Sequence, residues 1–409
     1  MKDGSLSPKE QSVIDSWNAH GVEVTDSAMK HFLVPWFTNI RRLIKADFPM
    51  HSIGELRETF ALKKNFVILG SGPSAMQVLE SLPRRADTAV FCGPTCVGAM
   101  LVAGFTPDLL IIADSNVDQF TTLKNLELEN AGDWKIVLPI TADSSWYGPD
   151  SPFKRDNLYF YLSYIDAMGT VDIAYNDIQH VLFPDVHQWI KQAGSVGNAM
   201  ISFTEMLCGE DLSKRIFLSL DCCSWLSEPP LHRAFGAERH SDGKYYPIIT
   251  PMQKQQILED SADSLYIPTP TFELQTNLTS LGYAIQMLYL VHWNTRVPGK
   301  ENRYALLSES SRLFLALQGS ETIPVVKASE VGIDDLPPPL SSPEWAYNVM
   351  IKVMVLSNEH KQKLIAEAQE LVDTTTTKEA PHVQERIESP LAMRLAEAAK
   401  RCYRRVFQR

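Results

Sequence analysis

The sequence predicts an α/β fold, a largely parallel sheet with helices on its faces, flanked by N- and C-terminal helical segments. Three observations predict it. From about residue 63 to 222, short runs of Val, Ile, Leu and Phe alternate with helical stretches, and strands buried on both faces read as continuous apolar runs of this kind. The first run, Phe66-Val67-Ile68-Leu69, passes straight into Gly70-Ser71-Gly72-Pro73-Ser74-Ala75, a glycine turn with a proline placed to open a helix. Two later runs end in an acid, Asp114 and Asp221, where the ligand crevice of an open α/β sheet lies.

In chain order, residues 1–58 read as an N-terminal helical segment. Val13 and Trp17, then Met29, Phe32, Leu33, Trp36, Phe37, Ile40 and Leu43 fall at helical spacing, and Gly54-Glu55-Leu56 leads into the first strand. The central domain spans 59–330. Its expected strands are Asn65–Leu69, Thr88–Phe91, Leu109–Ala113, Lys135–Leu138, Leu158–Leu162 and Arg215–Leu220, with helices beginning near Pro73, Thr95, Val117, Asp185 and Ser195. Two insertions, about 139–184 and 224–270, are rich in Pro, Gly, Tyr, Trp and His and are expected to be irregular; loops of that length usually cover or build a site. A helix is expected over about 271–295, through Leu274, Leu278, Leu281, Ala284, Ile285 and Leu288, followed by a strand at Tyr304–Leu307. The C-terminal helical segment, 331–409, holds Pro337-Pro338-Pro339, a helix over about 343–373, a linker at Thr374–Thr377 and a last helix over about 383–407. That last helix carries Arg394, Lys400, Arg401, Arg404, Arg405 and Arg409; it fits docking on its own protein, or contact with a partner or a membrane surface.

Bulk composition narrows the function classes. A chain of 409 residues has room for two or three structural units, and its net charge of −11 gives no electrostatic reason to bind nucleic acid. Cys92 and Cys96 are spaced C-x3-C with no His or Cys cluster to complete a zinc site, so they read as small residues at strand ends. Met1 to Pro8 is polar with no apolar run behind it, and stretches such as Met287–Val291 are far too short to span a bilayer. The expectation is a cytoplasmic protein, reduced and not transmembrane.

The Gly70–Ala75 turn is the center of the functional reading. Gly70 and Gly72 let a ligand approach the main chain, and the first-turn amides with the helix dipole attract an anion. A P-loop is excluded because no Lys follows the glycines. The match to G-x-G-x-x-A raises dinucleotide binding, but the second strand ends Val90-Phe91-Cys92-Gly93, without the acid that holds ribose hydroxyls. That missing acid leaves dinucleotide as the lesser reading, beside a phosphate or pyrophosphate of another kind and a tight turn without ligand. At Asp114 and Asp221 a carboxylate can accept from sugar or ring donors, hold a divalent ion or act as a base; each can equally cap the next helix. Asn116 follows Asp114 into the same crevice. Gly194-Ser195-Val196 starts a further helix, with Ser195 either capping it or donating to a ligand. The insertion after Asp221 holds His232, Arg233, Arg239, His240 and Lys244; each reads singly as a surface residue, and together they fit as cationic contacts to phosphate.

Taken in order, Gly70-Ser71-Gly72-Pro73-Ser74, Ala103-Gly104-Phe105-Thr106-Pro107-Asp108 leading to Asp114, Gly194-Ser195-Val196, and Asp221 resemble the domain shared by motility-associated factor (Maf) flagellin glycosyltransferases and archaeal 6-hydroxymethylpterin diphosphokinases. The resemblance covers about 65–310. It implies a Rossmann-like core and a transferase: either transfer of a nonulosonic acid from a CMP-linked donor to Ser or Thr of a protein acceptor such as flagellin, or Mg2+-dependent pyrophosphoryl transfer from ATP to a pterin alcohol. Carried over, Gly70–Ser74 meet donor phosphate, and Asp114, Ser195 and Asp221 line the site. Asp114, Asp221, His240 and Glu309 are then the candidates to deprotonate the acceptor. No cofactor is fixed; Mg2+ is the one ion the resemblance brings in. The chain departs from the family at Ser219-Leu220-Asp221-Cys222, where the acid remains but the family's Gln is lost, and at Ser308-Glu309-Ser310-Ser311, where the family's glycines are lost. A relative that binds nucleotide without catalysis is the third reading.

Overall fold

The computed structural model describes residues 33–48, 51, 53–72, 74–115, 117–124, 126, 128, 131–164, 170–186, 188–192, 195–221, 236–248, 265–268, 273–276, 287, 290–291, 294–295, 297–310 and 323–333. Helix α1 covers 33–45 and α2 Ile53–Thr59; then β1 (Asn65–Leu69), α3 (Ala75–Ser81), β2 (Thr88–Cys92), α4 (Val97–Val102), β3 (Leu109–Ile111), α5 (Val117–Lys124), β4 (Ile136–Pro139), β5 (Leu158–Tyr164), α6 (Thr170–Leu182), β6 (Trp189–Lys191), α7 (Val196–Cys208) and β7 (Arg215–Ser219). The hairpins β8 (Gly236–Arg239)–β9 (Tyr245–Ile248) and β10 (Leu265–Pro268)–β11 (Glu273–Thr276) follow, then β12 (Tyr304–Leu307) and β13 (Val325–Val326).

Nine strands form one parallel sheet in the order β13-β12-β7-β1-β2-β3-β4-β5-β6. All five residues of β1 are buried. Its side chains alternate between two cores, as a two-residue repeat requires. Val67 and Leu69 join α1, α3, α4 and α5 on one face; Phe66 and Ile68 join α2 and α7 on the other. The chain steps outward from β1 to β6 with its helices on the first face, then returns through α7 on the opposite face to place β7 beside β1. A right-handed crossover demands that change of face when the direction of travel reverses. The fold is Rossmann-like, and the β1–β7 boundary is its topological switch point.

The expected strands stand where the sequence put them, within a residue or two at each end. Three expectations are corrected. The helix expected near Asp185 is instead edge strand β6, Trp189–Lys191, paired to β5. Trp189 and Ile190 favor a pleated, half-buried position. The insertion at 139–184 is not irregular throughout, since it contains the 13-residue helix α6, and the one at 224–270 holds β8, β9 and β10. The helix expected over 271–295 fails at its start, where Glu273–Thr276 forms a strand antiparallel to Leu265–Pro268. The alternation Phe272-Glu273-Leu274-Gln275-Thr276 there competes with the longer leucine spacing, and hairpin pairing decides it. Residues 287, 290, 291, 294 and 295 are helical. The helices expected over 343–373 and 383–407, and the periodic residues before Leu33, lie outside the described residues.

A buried charge cluster ties the return helix to the second half of the sheet. Glu205 of α7 accepts from Lys300 and Arg303 at 2.8 Å each and from the Tyr304 hydroxyl at 2.7 Å. Arg303 is 1% exposed and also donates to the carbonyls of Gly209 and Asp211. Removing one partner of such a group leaves the other charges buried and unmatched. Glu205→Ala is expected to lower unfolding free energy by about 3–5 kcal/mol, read as a shift of the urea midpoint; a change under about 1 kcal/mol would mean the cluster is hydrated in solution.

Candidate functional site

The glycine turn and Asp221 meet at the switch point. Strand β1 delivers the chain to Gly70, whose amide donates to the Ser219 carbonyl at 2.8 Å, so the turn begins while still paired to β7. Two residues beyond Ser219, Asp221 is 5% exposed, and its carboxylate takes the polar groups of the turn: the Ser74 amide at 3.0 Å and the Ser74 hydroxyl at 2.6 and 2.8 Å. Gly72 makes this approach possible. A Cβ at residue 72 would fall 2.0 Å from Asp221 Oδ2 and 2.4 Å from its Cβ. Helix α3 starts at Ala75 rather than at Pro73, which is outside the described residues, and Ser74 occupies its N-cap without bonding the helix by its side chain.

The start of α7 closes the same region from the other face. Ser195 Oγ accepts from the Asn198 amide at 3.2 Å, so Ser195 caps its helix. A Cβ on Gly93 would lie 3.1 Å from Val196, and one on Gly197 3.2 Å from Leu220. The first turn of α7 therefore sits against the ends of both β2 and β7.

The remaining expected residues stand apart. Asp114 follows β3, and β3 is three strands from β7, about 14 Å at the usual strand spacing. Glu309 follows β12; its carboxylate accepts the Ala328 amide at 3.0 Å and the Ser308 hydroxyl at 3.1 Å, anchoring the turn after β13. His240 is exposed beyond β8, its ring 4.3 Å from that of Tyr246, and its main chain closes the hairpin with Gly243 and Lys244. Ser71 is partly exposed on the turn. Asn116, Gly194, His232 and Arg233 lie outside the described residues. The Ala103–Asp108 motif lies at the opposite end of the sheet. Gly104, at φ +69°, ends α4, Phe105 packs under Arg84, and Asp108 accepts from the Val90 amide at 2.9 Å at the start of β3.

Several residues that the sequence did not assign to the site stand at the crevice. Cys96 donates to the Gly70 carbonyl at 3.5 Å. Tyr161 and Gln192 support the chain just before Asp114: the Tyr161 hydroxyl donates to the Ile112 carbonyl at 2.8 Å, and Gln192 Nε2 to that of Ala113 at 3.0 Å. The one available signal was position, since Gln192 stands immediately before the Ala193-Gly194-Ser195 helix start. Among the described residues no group of three His, Cys, Asp or Glu is arranged to hold a metal ion, and no helix is long and apolar enough to cross a membrane.

A crevice at the reversal of a parallel sheet, with a glycine turn on one side and a buried acid on the other, is where open α/β folds take their ligands, and it is the candidate site here. No family model and no curated protein matches the chain. Among solved structures, it is similar to the Maf glycosyltransferase from Magnetospirillum magneticum AMB-1, at 13% identity and a TM-score of 0.39, over 85% of this chain and 46% of that one. The chain thus spans under half the length of that protein.

Two outcomes are expected. Gly72→Ala should destabilize by about 1–3 kcal/mol, the cost of overpacking, and should cost far less when made in an Asp221→Gly background, which removes the group it strikes; an indifferent Gly72→Ala would refute the close approach. The second concerns thiols. Burial, with Asp221's charge adding at Cys96 and the Cys96 thiol adding at Cys92, pushes both far above the ordinary 9.0, and burial pushes Cys208 up to about 12. These groups stay protonated in the fold but ionize in the unfolded chain. Their contribution is complete below about pH 9 and falls as pH rises through the folded values. Urea midpoints should decline steadily above about pH 9, and the decline should shrink in Cys208→Ala.

Proposed function

We propose that the protein is a group transferase that binds a nucleotide-activated donor by its phosphate at the β1–β7 crevice. Within that class we favor a Maf-like glycosyltransferase taking a nonulosonic acid from a CMP-linked donor to a hydroxyl on a protein acceptor such as a flagellin Ser or Thr. One observation carries the reading: of the four motifs that resemble that family in order, the glycine turn, the Ser195 helix start and Asp221 converge on the switch point.

Asp221 is the residue best placed to act. A carboxylate beside the donor phosphate does not stabilize the leaving group; it repels it. It is suited to take the proton from an acceptor hydroxyl, with Ser74 holding its orientation. Among the described residues, Ser71 and the α7 start are the groups suited to face the phosphate. Asp114, three strands away, suits the distal part of the donor or the acceptor. Glu309 is engaged on the Ala328 amide and His240 is exposed on its hairpin, and both are weaker candidates for the base.

Among the described residues, Mg2+ fits in one mode. A single carboxylate without a protein cage suits an ion held by Asp221 together with donor phosphates and water. Bound there, it would neutralize charge between carboxylate and phosphate. The same feature favors the second reading, pyrophosphoryl transfer from ATP to a pterin alcohol, because a phosphate next to Asp221 calls for a cation.

Calorimetry with CMP and with ATP, each with and without Mg2+, separates the readings. CMP binding with transfer from a CMP-linked donor is expected, and Asp221→Asn should cut turnover by roughly 10²–10⁴-fold while donor binding persists. ATP-dependent, EDTA-sensitive consumption of hydroxymethylpterin would replace the first reading with the second. Binding of neither nucleotide would refute both.

A further inference from the structure

Asp114, which stands apart after β3, and Ser195, at the start of α7 against the switch point, are separated in sequence by about 80 residues. They share one attachment. Strand β3 loses its β2 partner after Leu110, where β2 turns away at Gly93, and on its other edge Ile112, whose amide donates to Val137 of β4 at 2.9 Å, faces Pro139, which has no N–H to return. The carbonyls of Ile112 and Ala113 are then satisfied by side chains: Tyr161 Oη at 2.8 Å on Ile112 and Gln192 Nε2 at 3.0 Å on Ala113. Gln192 Nε2 also lies 2.9 Å from the Tyr161 hydroxyl and 3.1 Å from Ser163 Oγ, so two N–H groups serve three acceptors. The amide orientation is dictated: Ala113 O can only accept, and the Tyr161 proton is committed to Ile112. Through its main chain, Gln192 accepts the Ser195 amide at 3.2 Å. The side chain thus fixes the residue before Asp114, and the carbonyl fixes the residue that caps α7.

Ser163, the third acceptor, is itself locked. Its amide donates to Gln179 Oε1 at 3.0 Å, and its carbonyl accepts from Gln179 Nε2 at 2.9 Å, where β4 no longer reaches β5. Tyr161 is fully buried and Gln179 is 0% exposed, so the frame against which Gln192 is held is rigid. Burial raises the Tyr161 hydroxyl well above its ordinary value, and the charge of Asp114, the residue after Ala113, adds to that.

We infer that Gln192 is the positioning residue that sets Asp114 and the α7 start in one arrangement, and so couples the distal part of the ligand to the switch-point crevice. The inference rests on the functional reading for its ligand, but not for its geometry. The test uses Gln192→Leu, which keeps bulk and removes the donors, and Gln192→Glu, which sets carboxylate oxygens against the Ala113 carbonyl. In the full-length protein without nucleotide, amide hydrogen exchange at 112–115 and 195–198 should accelerate at least tenfold in both variants, with β1 and β4 unchanged. With CMP as the probe, each variant should bind about tenfold more weakly. Adding Asp114→Asn to Gln192→Leu should cost little further, because Gln192 acts through Asp114. Unchanged exchange at either segment, or losses that multiply in the double variant, would overturn the inference. If the unsubstituted protein fails to bind CMP, the functional reading falls, and the exchange measurement still decides the role of Gln192.

Discussion

Strand β1 is hydrogen-bonded on both sides, to β2 along one edge and to β7 along the other. Parallel neighbors cannot be joined by tight turns; each needs a crossover. A chain that starts at the middle of its own sheet must therefore build outward, reverse, and return on the other face. That constraint puts the first strand and the seventh side by side, though about 150 residues separate them in sequence. It also leaves a gap where the loops leaving their carboxyl ends diverge. The turn after β1 and the acid after β7 meet because of this topology.

The local chemistry at that gap is self-consistent. A buried carboxylate is tolerable only if it is hydrogen-bonded. Asp221 finds both an amide and a hydroxyl on Ser74, and it reaches them because residue 72 has no side chain. Gly72 thus serves an internal anion. The same residue types that would admit a ligand phosphate admit this carboxylate, and sequence cannot distinguish the two uses.

That ambiguity marks where legibility stops. The strands were legible because β1, β2, β4, β5 and β7 are buried along nearly their whole length, and burial on both faces leaves an apolar run. Asp114 and Asp221 were legible as strand-end acids for the same reason. Strand β6 was not, because three residues, the buried Ile190 between half-buried Trp189 and Lys191, carry too short a pattern to stand against the helix expected from near Asp185. Gln192 and Gln179 were invisible because a glutamine amide acquires meaning only from the carbonyls it faces, and those come from strands distant in sequence. The Ala103–Asp108 motif was legible but of another kind: a glycine helix terminus and an acid on a β2 amide, at the far end of the sheet from the crevice.

Electrostatics then limits what the crevice can do. Two like unit charges at ~4 Å repel by about 4 kcal/mol at an effective dielectric near 20. A phosphate that used the Ser74 amide would face the Asp221 carboxylate at about that range. Three arrangements relieve the repulsion: a proton on the carboxylate, a cation between the two, or a phosphate seated toward Ser71 and α7 with Asp221 left to the acceptor. The first removes the base a glycosyl transfer needs. The second supplies the ion a pyrophosphoryl transfer needs. The third keeps the carboxylate ionized and bonded to Ser74, and it requires the α7 start to stay against β2 and β7. Because the Gln192 carbonyl holds the Ser195 amide, that third arrangement depends on a residue remote from the phosphate.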